Sequence, residues 1–262
     1  MLYGKRNKIY NIQIKADKVQ KHIMELKNKL TVIIVVYDEA AVIGNVVRDF
    51  YEKIIKKIPG TEFIVSEDGS RDGTKEILQR INKEIPFTLI SEETRKGYTK
   101  AFKDALRLAK TELIFFSDSD GQHEPEDIFK LLNGVGNYDI VSGYKYPRRD
   151  PVYRIILSKG YNWLIYLLFG IKLKDIDSGF KLIRKEVIDN ILSDVTGFKY
   201  CVMSEFVLKA YLSGYKIKEI PVRHYPRAVG MSSIFSPAKL PAIIIQLINN
   251  LFEMRFNYLR MK

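Results

Sequence analysis

Leu113-Ile114-Phe115-Phe116-Ser117-Asp118-Ser119-Asp120-Gly121-Gln122 is the stretch whose reading decides the fold. Its apolar start reads as a buried strand. The strand stops at two carboxylates, Asp118 and Asp120. Side chains two positions apart share a face of a continuing strand, while those of adjacent residues alternate. A strand end that breaks, which Gly121 permits, leaves the pair free to converge on one ligand. Two hard oxygen donors there suit Mg²⁺ or Mn²⁺ carrying a diphosphate. Taken alone, Asp118-Ser119-Asp120 is equally a polar turn after a core strand, because so short a motif often arises by chance.

Working outward, the same arrangement recurs. Leu30–Val36 is an apolar, β-branched run followed by Tyr37-Asp38-Glu39. Residues 41–58 have helical spacing, and Pro59-Gly60 marks a turn. Residues 62–66 form a second strand, ending in Glu67-Asp68-Gly69-Ser70-Arg71-Asp72-Gly73-Thr74. A helix over 74–85, a strand over 87–90 and a helix over 97–109 lead to the 113–116 strand. Residues 126–135 are helical again and 138–142 form a fifth strand. This alternation predicts an α/β fold, a mostly parallel central sheet flanked by helices. In such sheets ligands collect at the carboxyl ends of strands, where each polar cluster falls.

The second half differs. Residues 152–171 are long, apolar and aromatic, with Arg154, Ser158 and Lys159 near the start. Residues 175–181 form a turn before a strand or helix, and 204–212 read as helix. Ile217–Val222 is a strand containing Pro221, which places it at a sheet edge. Residues 240–259 close the chain as an apolar, aromatic helix. The expected organisation is a basic extension over 1–29, with a helix near 16–27, a catalytic domain over 30–235 and a C-terminal apolar helix over 236–262. Both long apolar segments have two readings, core helix or interfacial helix; Tyr161, Trp163 and Tyr166 suit an interface.

With 262 residues and 46% apolar content, the chain can bury one large core. Its formal charge of +12 attracts phosphorylated substrates, anionic lipids or nucleic acid. No helix-turn-helix, RNP or zinc pattern supports nucleic acid. Part of the charge lies on Lys5, Arg6, Lys8, Lys15, Lys18, Lys21, Lys27 and Lys29, as a solvated face or a membrane contact. The single Cys201 excludes an intrachain disulfide, suggests a reducing compartment and reads as a packed apolar residue. His22, His123 and His224 lack metal-ligand spacing. No apolar run reaches the length of a transmembrane helix, and no signal peptide is expected.

Together the clusters resemble the inverting nucleotide-sugar glycosyltransferases of family two, which have the GT-A fold, a Rossmann-like sheet. Residues 32–39 are similar to that family's opening strand and Tyr-Asn-Glu loop, with Asp38 where Asn is usual and Val36 where Pro is usual. Residues 66–74 resemble its Asp-Asp-Gly-Ser-x-Asp-Gly-Thr loop, with Glu67 for the first Asp. Residues 94–101 resemble its Asn-x-Gly-x-x-x-Ala segment, and 118–122 its metal motif. Within the family the chain is most similar to dolichyl-phosphate mannose synthases and related polyprenyl-phosphate glycosyltransferases. Gln122, Ser142-Gly143-Tyr144-Lys145, Arg154-x-x-x-Ser158, Asp177-Ser178-Gly179-Phe180 and Arg227-x-x-Gly230-x-Ser232-Ser233 carry that likeness. Lys145 stands where Arg is usual, which replaces a bidentate fork by a point charge.

The resemblance implies metal-dependent transfer of a hexose, mannose from GDP-mannose or another sugar such as glucose from a UDP donor. The acceptor is a polyprenyl or dolichyl phosphate at the cytoplasmic face of a membrane. Tyr37, Glu39, Asp68, Ser119, Asp118 and Asp120 would line the nucleotide-sugar pocket, and Lys96 or Arg95 would meet the diphosphate or stay solvated. Asp118 and Asp120 would hold Mg²⁺ or Mn²⁺. Gln122 would join the metal or a phosphate, or be a surface amide. Lys145, Arg154, Ser158, Arg227 and Ser233 would gather the acceptor phosphate, with Asp120, Gln122 and Arg154 closest to catalysis. His123 reads as structural. An acceptor that is a saccharide rather than a lipid phosphate is the rival within the family.

Overall fold

The computed structural model describes residues 25–198, 201–227 and 240–261. The first half alternates as expected: β1 (Leu30–Val36), α1 (Ile43–Phe50), β2 (Glu62–Glu67), α2 (Thr74–Ile81), β3 (Thr88–Ser91), α3 (Tyr98–Leu108), β4 (Leu113–Asp118), α4 (Ile128–Gly134) and β5 (Ile140–Lys145). Then follow α5 (Val152–Phe169), β6 (Phe180–Arg184), α6 (Lys185–Ile191), α7 (Val202–Leu212), β7 (Ile217–Val222) and α8 (Leu240–Met261). One sheet holds the seven strands of the described residues in the order β3-β2-β1-β4-β6-β5-β7.

The sheet is covered on both faces. Along β1, Ile33 and Val35 join one hydrophobic cluster, while Val32, Ile34 and Val36 join the other. That two-sided burial explains why the strand reads as an unbroken apolar run. Phe102 and Phe206 pack over one face beside Phe116, and Phe115 meets Phe180 edge-to-face on the other.

Register sets the functional edge. Val36 pairs with Glu67, Val35 with Asp118 and Glu67 with Ser91. The loops after these parallel strands therefore emerge side by side. β6 alone is antiparallel, to both β4 and β5. A parallel crossover must carry the chain to the opposite end of the sheet. The segment from α5 to residue 179 instead returns it to the edge it left, so β6 starts there. Lys145 and Val222, at the ends of β5 and β7, complete this edge.

Several boundaries differ from expectation. The helix foreseen over 41–58 is α1 continued by a wider π-type stretch, Tyr51–Ile55. The helix of 126–135 starts with a 3₁₀ turn at Pro125–Asp127, since proline suits a first turn. The fifth strand runs on to Lys145, carried by its pairing with β7. The turn of 175–181 leads into strand β6, and α6 follows it directly. Pro221 lies in β7, the edge strand, as its missing amide requires. Most of the helix near 16–27 and the basic extension lie outside the described residues.

Candidate active site

The site is built first from loops that clamp one another. Asp38 has a positive φ of 52°, a region that Asn and Asp tolerate better than most residues. Its Oδ1 accepts from Arg71 N at 2.9 Å, and its amide donates to Ser70 Oγ at 3.0 Å. Asp72 accepts from Ala40 N, and Thr74 Oγ1 accepts from Glu39 N. The β1 and β2 loops thus form one rigid wall. Glu67 is fully buried, accepting from Ser70 N and, at 3.0 Å, from Ser91 Oγ. The extra methylene over the usual Asp serves that reach to β3.

Asp68 is buried and spends its carboxylate on backbone. Oδ1 accepts from Lys96 N at 2.8 Å, and Gly97 N donates to both oxygens at 3.1 and 3.0 Å. Burial raises its carboxyl above the usual range against those amides. Asp68 so positions residues 95–97, whose Arg95 guanidinium lies 3.8 Å over the Tyr37 ring. Lys96 pairs its ammonium with Glu92 rather than pointing at the carboxylates.

Asp118 and Asp120 follow β4, and Gly121 has the positive φ of 70° that the break needs. Asp118 N donates to Gly179 O at 2.9 Å. A Cβ on Gly179 would overlap the Asp118 carboxylate, so glycine alone fits. The Tyr98 hydroxyl reaches Asp118 Oδ1 at 3.4 Å. Burial pushes the Asp118 carboxyl up to about 7, and Asp120 adds to that shift. Two crowded carboxylates favour a cation between them. This donor set fits Mg²⁺ or Mn²⁺. No group of three or more His, Cys, Asp or Glu among the described residues forms a complete cage, so a cation held here would take its remaining ligands from outside the chain. Ser119 is buried in the same turn. Gln122 is held elsewhere: its N donates to Asp120 Oδ1 at 3.1 Å and its side-chain amide to Tyr225 O at 3.1 Å.

Arg227 crosses from the β7 side, pairing with Glu39 and approaching Asp120 to 3.9 Å. Burial raises the Glu39 carboxyl, and Arg227 opposes the rise. Ser233, with Gly230 and Ser232, lies outside the described residues. His123 and His224 form an isolated bridge and are both buried. Burial lowers His123 below its usual value and brings His224 down to about 4, with Lys145 adding to both.

Lys145, Arg154 and Ser158 do meet. They line a cavity of about 470 Å³ between α5 and α8, with Arg148, Asp150 and Asp177 also in its wall. Leu157, Leu164, Ile243, Ile244, Leu247 and Ile248 make its apolar part. A larger hollow of about 670 Å³ is lined by Glu62, Phe87, Thr88 and Leu108 near the amino ends of β2 and β3. That end of the sheet is far from both carboxylates, so the smaller cavity is the relevant one.

Sequence reasoning missed three contributors. Arg148 and Asp150 sit in the dense charge of residues 148–150, a signal the pattern offered. Lys181 is a fully buried cation in β6, detectable as the lone charge within Phe180-Lys181-Leu182-Ile183. It donates to Ser178 O, and burial brings its ammonium down to about 8, opposed by Asp175 and Asp177. Asp177 accepts from Ser204 N and Oγ, and burial raises it to about 6.

Residues 31–192 match the profile of Glycosyl transferase family 2. The chain belongs to that family. It is 30% identical over 189 residues to a polyprenol monophosphomannose synthase of Mycolicibacterium smegmatis, covering 67% of this chain and 71% of that one. It is 31% identical over 217 residues to a dolichol-phosphate mannosyltransferase of Pyrococcus furiosus, covering 79% of this chain and 59% of that longer protein. Among solved structures, glucosyl-3-phosphoglycerate synthase of Mycobacterium tuberculosis, in complex with Mn²⁺, UDP-glucose and phosphoglyceric acid, aligns with a TM-score of 0.66 at 18% identity, over 87% of this chain and 79% of that one. A mannosyltransferase of Pyrobaculum calidifontis, in complex with GDP-mannose and Mn²⁺, aligns with a TM-score of 0.60 at 22% identity, over 86% and 64%. The fold of this family-two glycosyltransferase is GT-A, as the sequence implied.

Proposed function

We propose that this glycosyltransferase moves a hexose, mannose from GDP-mannose, onto a polyprenyl or dolichyl phosphate at a membrane surface, inverting the anomeric carbon. One observation carries the reading. The cavity between α5 and α8 gathers three cations, Lys145, Arg148 and Arg154, with Asp150, Asp175 and Asp177 beside them, and is apolar along both helices. That combination suits an amphiphile with a phosphate head. The mannosyl donor is favoured by the two relatives at about 30% identity.

Tyr37, Glu39, Asp68 and Ser119 would line the donor pocket, with Lys96 and Arg95 at its rim. Asp118 and Asp120 would hold Mg²⁺ or Mn²⁺, Gln122 fixing Asp120 through its amide. A divalent cation bound there would neutralise charge on the departing nucleoside diphosphate. Arg227 would leave Glu39 for the phosphates, and Ser233 follows in the same loop. The attacking acceptor oxygen is already anionic near neutral pH, so proton removal by a strong base is unnecessary. Lys145, Arg154 and Ser158 would hold that phosphate in line with the sugar.

The membrane contact would come from α5 and α8. Val152, Ile156, Trp163 and Leu167 are exposed, spaced four, seven and four apart, hence one stripe of α5. Ile245, Phe252, Phe256 and Leu259 make such a stripe on α8. No helix among the described residues is long and apolar enough to cross a membrane, so the contact would be peripheral, and the lone Cys201 favours the cytoplasmic face. Offering a short polyprenyl phosphate and phosphoglycerate side by side with GDP-mannose tests the acceptor. Nucleoside diphosphate release driven by the lipid phosphate alone is expected; release driven only by phosphoglycerate would overturn the lipid assignment.

A further inference from the structure

We infer that Arg148 is a third cation of the anion cradle, fixed by Asp150 and by the Ser158 hydroxyl oxygen, whose own proton stays available to the ligand. This inference rests on the acceptor-phosphate reading. Arg148 Nε donates to Asp150 Oδ2 at 2.6 Å, and its Nη1 donates to Ser158 Oγ at 2.8 Å. The Asp150 side chain is only 5% exposed and that of Arg148 20%. A guanidinium gripped at two of its nitrogens on one cavity wall is pre-organised, and its planar fork keeps further N–H groups to offer. Burial alone would raise the Asp150 carboxyl; Lys145 and Arg148 beside it hold it below the usual range, so it stays an anchor at working pH.

The hydrogen bonds around Ser158 have one direction. Asn162 Oδ1 accepts from Ile176 N at 3.0 Å, which orients its amide nitrogen toward α5. Asn162 Nδ2 then donates to Ser158 O at 2.7 Å and lies 3.4 Å from Ser158 Oγ. With Arg148 also donating to that oxygen, the hydroxyl accepts twice and its single proton is left to donate. Arg148 and Ser158 thus offer donors to the cavity, while two of the carboxylates in its wall are engaged, Asp150 with Arg148 and Asp177 with Ser204; Asp175 is the third. The ligand class is an acceptor-only oxyanion, a phosphate monoester on an apolar chain. The spacing Lys145, Arg148, Arg154 spreads three cations along one wall, more than a carboxylate or a neutral saccharide hydroxyl would use.

The test measures binding of decyl phosphate by calorimetry, without donor, to the wild type and to Arg148→Ala, Arg148→Lys, Asp150→Asn and Asp150→Glu. Mn²⁺–GDP binding and the thermal midpoint serve as folding controls. Arg148→Ala should weaken decyl phosphate at least tenfold with Mn²⁺–GDP binding unchanged, and Arg148→Lys should recover only part of the loss. Asp150→Asn should raise the acceptor KM with little change in kcat, and Asp150→Glu should restore part of it. Wild-type affinity for decyl phosphate in both Arg148→Ala and Asp150→Asn would overturn the inference while leaving the acceptor reading intact. No decyl phosphate binding by the wild type would overturn the acceptor reading itself. Should Arg148→Ala unfold, Arg148→Lys and Asp150→Asn carry the same comparison.

Discussion

Asp118 is placed by backbone and by the absence of a side chain opposite it. Gly179→Ala would press a methyl group into its carboxylate, an over-packing that costs about 1–3 kcal/mol. The expected outcome is a lowered thermal midpoint together with weaker Mn²⁺ binding by titration; unchanged Mn²⁺ affinity would remove Gly179 from the site. His224 gives a pH signature. Its folded value near 4 lies below the unfolded value near 6.5, so the unfolded chain binds more protons between them. Its contribution is therefore complete above about pH 6.5 and is lost as pH falls toward 4. In denaturant titrations the wild type should lose more stability over that window than His224→Asn; parallel curves would contradict this. Legibility at this scale was uneven. Asp118 and Asp120 stood out at a strand end, and Lys145, Arg154 and Ser158 through the family resemblance; the last three line one cavity. The partner that ties Asp68 to residues 96 and 97 was not legible, because it is main chain. Nor was the coupling of Gln122 to Tyr225, which depends on contact across 103 positions.

Among the elements, the alternation of strands and helices could be read directly, since burial on both sheet faces leaves continuous apolar runs. The reversed direction of β6 could not, because five paired residues carry no mark of polarity. α5 and α8 were expected to be either core helices or interfacial helices. Their apolar residues occupy two opposed faces: Ile165 and Phe169, or Ile243, Leu247 and Leu251, face the core, while the exposed stripes face away. A helix apolar on both sides needs a second apolar environment. Trp163 is the sole tryptophan and is 62% exposed. Its emission should shift to the blue on adding anionic vesicles and stay unmoved if α5 does not insert. Leu167→Asp, a change at an exposed site outside the cavity, should leave folding stability within about 0.5 kcal/mol. It should weaken vesicle partitioning roughly tenfold, from the loss of about 1.5 kcal/mol of apolar burial.

For the whole molecule, the charge of +12 and the apolar helices point to one surface chemistry. Vesicle binding should fall as salt rises from about 0.05 to 0.5 M, because the Debye length that screens exposed charges shrinks from about 14 Å to about 4 Å. A residual, salt-resistant fraction should remain from the apolar stripes. The central claim is sugar transfer to a lipid phosphate. It is tested most directly by incubating the protein with Mn²⁺, a short-chain polyprenyl phosphate and a panel of nucleotide sugars, then weighing the lipid by mass spectrometry. The account predicts a lipid phosphate heavier by one hexose with GDP-mannose, absent with chelator and in Asp120→Asn. An unmodified lipid across the whole panel, from protein that still binds Mn²⁺ and nucleotide, would contradict it.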